Sequence, residues 1–150
     1  MNGDGPDVRD LPGILGIDHV GVAVPDLDAG QAPYVALGLR SVGEEIVPDQ
    51  GVRVRVLDTG VGTIELLAPL APDTPVGRFL TARGPGLHHL AFRVADVRRA
   101  LESAIASGLA PIDDAPRSGR AGSRVAFLHP RSAGGVLIEL VEPAAGPSRP

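Results

Sequence analysis

The chain has no cysteine and no lysine; all 14 of its basic residues are arginine. The first absence rules out disulfides, cysteine-based zinc sites and thiol nucleophiles. The second rules out a lysine Schiff base and a P-loop lysine. No apolar run approaches the length that spans a bilayer, and Met1 to Pro12 is acidic and rich in Gly and Pro, unlike a signal peptide. The formal charge is −4 and the arginines are scattered, so there is no basic face for nucleic acid. These features lead us to expect a cytoplasmic protein with neither a nucleic-acid nor a membrane partner.

What is present is 150 residues, enough for one domain that buries a core without staples, of which Gly and Pro make up 35. With 43% hydrophobic residues, that proportion points to a folded domain rich in turns. The chain also repeats itself. Ile17 to Leu39 lies over Leu87 to Leu109 at a constant offset of 70, with His19 on His89, Asp26 on Asp96 and Gly38 on Gly108. Ile64-Glu65-Leu66 falls on Ile138-Glu139-Leu140 at an offset of 74, so the second copy carries four more residues in its loops. Each copy reads as a strand bearing a histidine, a helix, and two or three strands ending on a glutamate.

Local signals follow the same plan. Asp26 and Asp96 stand where helices are capped, and Gly38 and Gly108 where they end. Val97, Leu101, Ala104 and Ile105 form a helical stripe. Pro33 falls inside the first helix and predicts a kinked or shortened one. Thr74-Pro75 through Gly84 reads as a short linker helix, and Val52 to Leu57 and Arg124 to Leu128 as strands. The expected layout is α+β: two tandem βαβββ repeats, at about 15–70 and 86–143, joined by a linker helix at about 74–84. They would form one curved, partly closed mixed sheet with helices outside, flanked by flexible tails at 1–14 and 144–150.

Strand alternation puts Val20, Val22 and Val24 on one face and His19, Gly21 and Ala23 on the other. In the second copy Leu90, Phe92 and Val94 oppose His89 and Ala91, with Arg93 at the rim. Each histidine is thus followed, two positions on, by a small residue, as a cleft requires. Glu65 and Glu139 sit inside apolar runs, where an unpaired carboxylate is costly and a cation would relieve it. His19, Glu65, His89 and Glu139 therefore form a candidate site for one divalent metal ion, of a donor type suited to Mn, Co, Ni, Zn or Fe(II). His88 points to the opposite face and reads as structural; His129 reads as either a cap or a substrate contact.

The phrases IDHVGVAV, DQGVRV, IELLAPL, GLHHLAFRV and FLHPRSAGGVLIELVEP resemble the vicinal oxygen chelate superfamily and, within it, the methylmalonyl-CoA epimerases. The match runs from about Ile17 to Pro143. The resemblance implies the vicinal oxygen chelate fold and a divalent ion (Co, Mn, Ni or Zn) on His19, Glu65, His89 and Glu139. It also implies epimerisation at C2 of an acyl-CoA substrate and a homodimer. Glu139 is the first candidate for a catalytic acid or base, with Glu65 or a metal-bound water as the second. Some epimerases carry a Glu three residues beyond the Gly of the QGV phrase; here that position is Val54. Gln50, His129 and Arg131 are candidate substrate contacts, and Arg117, Arg120 and Arg131 could meet CoA phosphates or simply be solvated. Two other readings remain open, a glyoxalase-type metal enzyme and a non-catalytic binding protein of the same fold; an extradiol dioxygenase is disfavoured by the extra Glu65 and the short chain.

Overall fold

The computed structural model describes residues 13–145. Most of the two expected tails lies outside the described residues, although β1 already begins at Ile14. The first copy runs β1 (Ile14–Ala23), α1 (Leu27–Ala36), β2 (Arg40–Val47), β3 (Val52–Asp58) and β4 (Thr63–Pro69). Helix α2 (Pro75–Arg83) links it to β5 (Gly86–Val94), α3 (Val97–Ala106), β6 (Arg117–Ser118), β7 (Arg124–Leu128) and β8 (Ile138–Glu142).

The predicted caps form. Asp26 accepts a hydrogen bond from the Asp28 N–H, Asp96 from that of Arg99 and Thr74 from that of Gly77. Gly38 and Gly108 follow the helix ends with φ of 95° and 96°, in the left-handed region where a glycine terminates a helix without strain. Of the kink or shortening expected of α1, the shortening does not occur: with Pro33 inside, it has the same ten residues as α3. Packing compensates for the hydrogen bond that proline removes, since Leu27 and Tyr34 of α1 close over Val22, Val24 and Leu66.

The eight strands among the described residues join one sheet, in the order β2-β3-β4-β1-β5-β8-β7-β6. β1 pairs parallel with β4, and β5 with β8; the other neighbours are antiparallel, including the central β1–β5 seam between the copies. The order is a palindrome of the two repeats, in one curled mixed sheet with α1 and α3 packed on its outer face. Register makes the equivalence residue-specific: Gly21 lies beside Glu65, and Ala91, 70 positions later, lies beside Glu139.

Each half buries two faces. Val97 and Leu101 of α3 pack on Val94 and Leu140, while Ala91, Val125, Phe127 and Val141 form the opposite face. In the first half Ala23, Val54, Val56 and Leu67 are on the face that α2 covers through Val76, Phe79 and Leu80. Glu65 and Glu139 share the inner faces. Among the described residues, no helix is long and apolar enough to cross a membrane.

Candidate functional site

The central seam brings the two histidines together. Across β1 and β5, His19 pairs with Ala91 and Gly21 with His89, so the small residue two positions after each histidine lies opposite the other one. At Gly21 a side chain is impossible without movement, because a Cβ there would come within 2.2 Å of the His89 ring. The neighbouring parallel strands then bring in Glu65 and Glu139. All four side chains are buried, at 3% to 6% exposure.

Three donor atoms converge. His19 Nε2 is 2.9 Å from His89 Nε2, His89 Nε2 is 3.0 Å from Glu139 Oε2, and His19 Nε2 is 3.6 Å from the same oxygen. Donors about 2.1 Å from a shared ion are separated by about 3.0 Å in an octahedral arrangement and about 3.4 Å in a tetrahedral one. The spacing therefore fits a single ion, and two imidazoles with a carboxylate suit a divalent transition metal. Glu65 stands differently. Its Oε2 is 3.1 Å from Nδ1 of His19, on the far edge of the ring, and 3.4 Å from Arg120 Nε. The chain thus carries a His-His-Glu arrangement able to hold a metal, with Glu65 beside it but not converging on the same point.

Asp18, adjacent to His19, has a part that was not read from the sequence. Its Oδ2 lies 2.7 Å from His19 Nδ1, placed to accept a proton there and so to turn Nε2 towards His89 and Glu139. Asp18 is itself held by Arg93, whose Nε and Nη2 donate to Oδ1 at 3.1 and 3.0 Å. One signal could have found it: Asp18 and His88 are related by the same offset of 70. His88 touches its neighbour too, with Nδ1 atoms 3.0 Å apart, and meets the Phe79 ring edge-on, so it contacts the site as well as the core.

Charge follows from these contacts. Burial opposes protonation of His19, but hydrogen bonds to Asp18 and Glu139 and the charges of Glu65 and Glu139 outweigh it, and its pKa is pushed up to about 10. Burial works against ionising Glu139 as well, yet its two histidine partners hold it well below the usual carboxylate range. Glu65 moves the other way: desolvation raises it, with only partial relief from His19 and Arg120. His88 falls to about 4, through burial and then the neighbouring His89.

A cleft opens on this centre, and Asp18, His19, Glu65, Glu139, Gln50 and Val54 line part of its wall. Val54 is 1% exposed and takes its place in that wall as an apolar surface. Arg120 and Ser123 also line the cavity, as does Ala144, which was expected in a tail. A second, largely apolar cleft lies beside His89, against Val52, Leu67, Phe127 and Leu137, and Gln50 borders both. His129 and Arg131 line neither. The Nδ1 of His129 accepts the Arg131 N–H and caps the turn at Pro130–Ser132, which favours the cap over the substrate contact, and Arg131 is exposed. Arg117 is tied to Asp113 at 3.2 Å and lies over the Phe127 ring.

Comparison with known proteins agrees with this geometry. Residues 18–127 match the family model described as the Glyoxalase/Bleomycin resistance protein/Dioxygenase superfamily. The chain is 35% identical to the ethylmalonyl-CoA/methylmalonyl-CoA epimerase of Cereibacter sphaeroides over 127 residues, 83% of this chain and 95% of that one. It superposes on the methylmalonyl-CoA epimerase of Mycobacterium tuberculosis with a TM-score of 0.85 at 41% identity, covering 93% of this chain and 97% of that one. A variant of the Streptomyces coelicolor methylmalonyl-CoA epimerase, solved in complex with 2-nitronate-propionyl-CoA, gives 0.81 at 40% identity, covering 88% and 99%. With this family match, these identities and these superpositions, the chain belongs to the methylmalonyl-CoA epimerase family of the Glyoxalase/Bleomycin resistance protein/Dioxygenase superfamily.

Proposed function

We propose that this protein interconverts the 2R and 2S forms of methylmalonyl-CoA, using one divalent metal ion (Co, Mn, Ni or Zn) on His19, His89, Glu139 and Glu65. The observation that carries the reading is the convergence of His19 Nε2, His89 Nε2 and Glu139 Oε2 within 3.6 Å, buried at the wall of an open cavity. For Glu65 to join them, its carboxylate must turn away from His19 Nδ1 and Arg120.

The C2 proton of the substrate lies between a thioester and a carboxylate, so its removal leaves negative charge delocalised over both. A bound divalent cation supplies Lewis-acid stabilisation of that charge. The chain's own residues supply position and proton transfer. Asp18 fixes the ring of His19 by accepting its Nδ1 proton. Glu139, ionised and lining the cavity, is the first acid/base group. Epimerisation needs a second group on the opposite face of the planar carbon, and Val54 cannot serve. Glu65 is the candidate, since desolvation raises its pKa towards the range in which a carboxylate both takes and returns a proton. Gln50, between the two cavities, is a candidate for orienting the thioester.

Two wider readings go with this proposal. A CoA thioester substrate accords with a cytoplasmic location. Homodimer formation is supported by Ile17 and Leu87, repeat-related residues on the central strands that are 60% and 73% exposed. Sedimentation at monomer mass across the micromolar range would remove the dimer.

Val54 favours one other reading, a protein that binds a thioester without turning it over. Incorporation of solvent deuterium at C2 of methylmalonyl-CoA separates the two. Exchange that needs the metal and accompanies inversion is expected; binding without any exchange would sink the epimerase in favour of the binder.

A further inference from the structure

Two guanidinium groups line the cleft, Arg93 and Arg120, and they differ in how far they are engaged. Arg93 commits Nε and one terminal nitrogen to Asp18, and its side chain is 54% exposed. The Arg120 side chain is 33% exposed and turned inward, with a single contact of 3.4 Å from Nε to Glu65. Among the described residues, no acceptor lies within hydrogen-bonding distance of its two terminal nitrogens.

The segment that carries Arg120 is built to hold it there. Residues 119–123 cross from the second repeat to the first, where the Ala121 N–H donates to Glu45 Oε2 of β2 at 2.8 Å. The Gly119 N–H reaches the Ser123 carbonyl at 2.9 Å, and the Ser123 N–H returns to the Arg120 carbonyl at 3.0 Å. Ala121 has φ 54° and ψ 36°, and among the described residues it is the sole non-glycine with positive φ. Such backbone persists only where its surroundings enforce it, and such enforcement is concentrated at functional sites. A Cβ at Gly119 would meet Ser123 Oγ at 2.6 Å, so the strap also has no slack at its start.

We infer that Arg120 grips the free carboxylate of the substrate, and so selects 2-carboxyacyl thioesters over plain acyl thioesters. The inference rests on the epimerase reading above. A carboxylate entering this cleft meets Asp18, Glu65 and Glu139; an ion held by the histidines and Glu139 would attract it, and the acidic side chains around it still call for a further cation among the lining residues. Arg93 is neutralised by Asp18. Arg120 presents the open end of a planar fork, which matches a carboxylate through two parallel hydrogen bonds. Its inward position beside Glu65 suits the acyl end of the substrate; a residue for CoA phosphates belongs at the mouth. On binding, the Arg120 fork takes the substrate carboxylate and Glu65 is freed of its contact.

The test compares affinities of the metal-loaded chain for methylmalonyl-CoA, propionyl-CoA and CoA by titration calorimetry; the first two differ by the carboxylate alone. Arg120→Gln is expected to lower the preference for methylmalonyl-CoA over propionyl-CoA by about ten- to a hundredfold, with CoA affinity unchanged. Arg120→Lys recovers part of it, because the charge stays and the fork is lost. Glu45→Ala, which frees the strap and keeps the guanidinium, lowers the ratio by a smaller factor. The same ordering is expected after chelation, which separates Arg120 from the ion. If Arg120→Gln does not fold, the Lys and Glu45 variants carry the same comparison. An unchanged ratio, or an equal loss for all three ligands, overturns the inference. Absence of C2 exchange in the unsubstituted protein would instead sink the epimerase reading, and the affinity ratio would still judge Arg120.

Discussion

The two repeats place the same backbone around one centre, and the side chains on it have diverged. In the first copy the residue before the histidine is Asp18, an anion that takes the Nδ1 proton of His19; in the second it is His88, whose Nδ1 lies 3.0 Å from that of His89. Glu139 lies between both imidazoles, whereas its counterpart Glu65 faces the outer edge of His19 and Arg120. β2 has eight residues, and its counterpart β6 has two before the chain leaves as the strap that carries Arg120. Duplication thus supplies coincidence of position, and substitution within each copy divides the surroundings: the second copy contributes the carboxylate that converges with both imidazoles, and the first contributes the anion beside His19 Nδ1 and a carboxylate set apart from that point.

The comparison breaks most sharply at the two glutamates. Glu139→Gln is expected to abolish metal binding and to lower C2 exchange by about 10²–10⁴-fold. Glu65→Gln changes a carboxylate that lies outside the point where the three donors converge, and it is expected to retain metal. It should let deuterium enter substrate of the original hand faster than it inverts, because one face keeps its proton carrier. Equal rates of exchange and inversion in Glu65→Gln would remove Glu65 from the reaction.

The next effect tests the seam. Gly21→Ala drives a methyl group into the His89 ring, at a cost of about 1–3 kcal/mol in stability by chemical denaturation, together with weaker metal binding. Ala91→Gly, the mirror change beside His19, removes bulk and is expected to leave metal affinity nearly intact. Equal losses would show that the copies are not distinguished in this way.

The supports of the two histidines come third. Asp18→Asn is expected to lower metal affinity by about 10–100-fold, and His88→Asn by less. Asp18 also sets a pH dependence. With a folded pKa near 10 against an ordinary 6.5, His19 stabilises the metal-free chain fully below pH 6.5, and this is lost as pH rises towards 10. Melting temperatures of chelated protein should fall across that window, and fall less in Asp18→Asn.

Much of this was legible in the sequence because a duplication writes its geometry twice. The offset of 70 between His19 and His89, with a small residue two places beyond each, was sufficient to place both imidazoles on the inner face. The Asp caps, the terminal glycines and the α2 linker were readable because each depends on neighbours in the chain. What could not be read depends on distance across the repeats. Arg120 meets Glu65 only because the sheet curls, and Ala121 is held by Glu45, 76 positions away. The length of α1 was misjudged because a local cost at Pro33 was weighed without the packing of Tyr34 and Leu27 that offsets it.

The smallest expected effect sharpens the equivalence of the copies. Asp26→Ala and Asp96→Ala should each cost about 1 kcal/mol, since the two caps do the same task on helices of equal length. Urea denaturation measures both, and a twofold or larger difference would show that the helices contribute unequally.

The most direct measurement of the central claim is the stoichiometry of cobalt binding to the whole chain. Two repeats that share one centre should take up one ion per chain, with His19→Ala and His89→Ala each removing it. Two ions per chain, the second held by the overlapping cluster of Asp18, His19 and Glu65, or uptake that survives loss of either histidine, would contradict a site built jointly by the two copies.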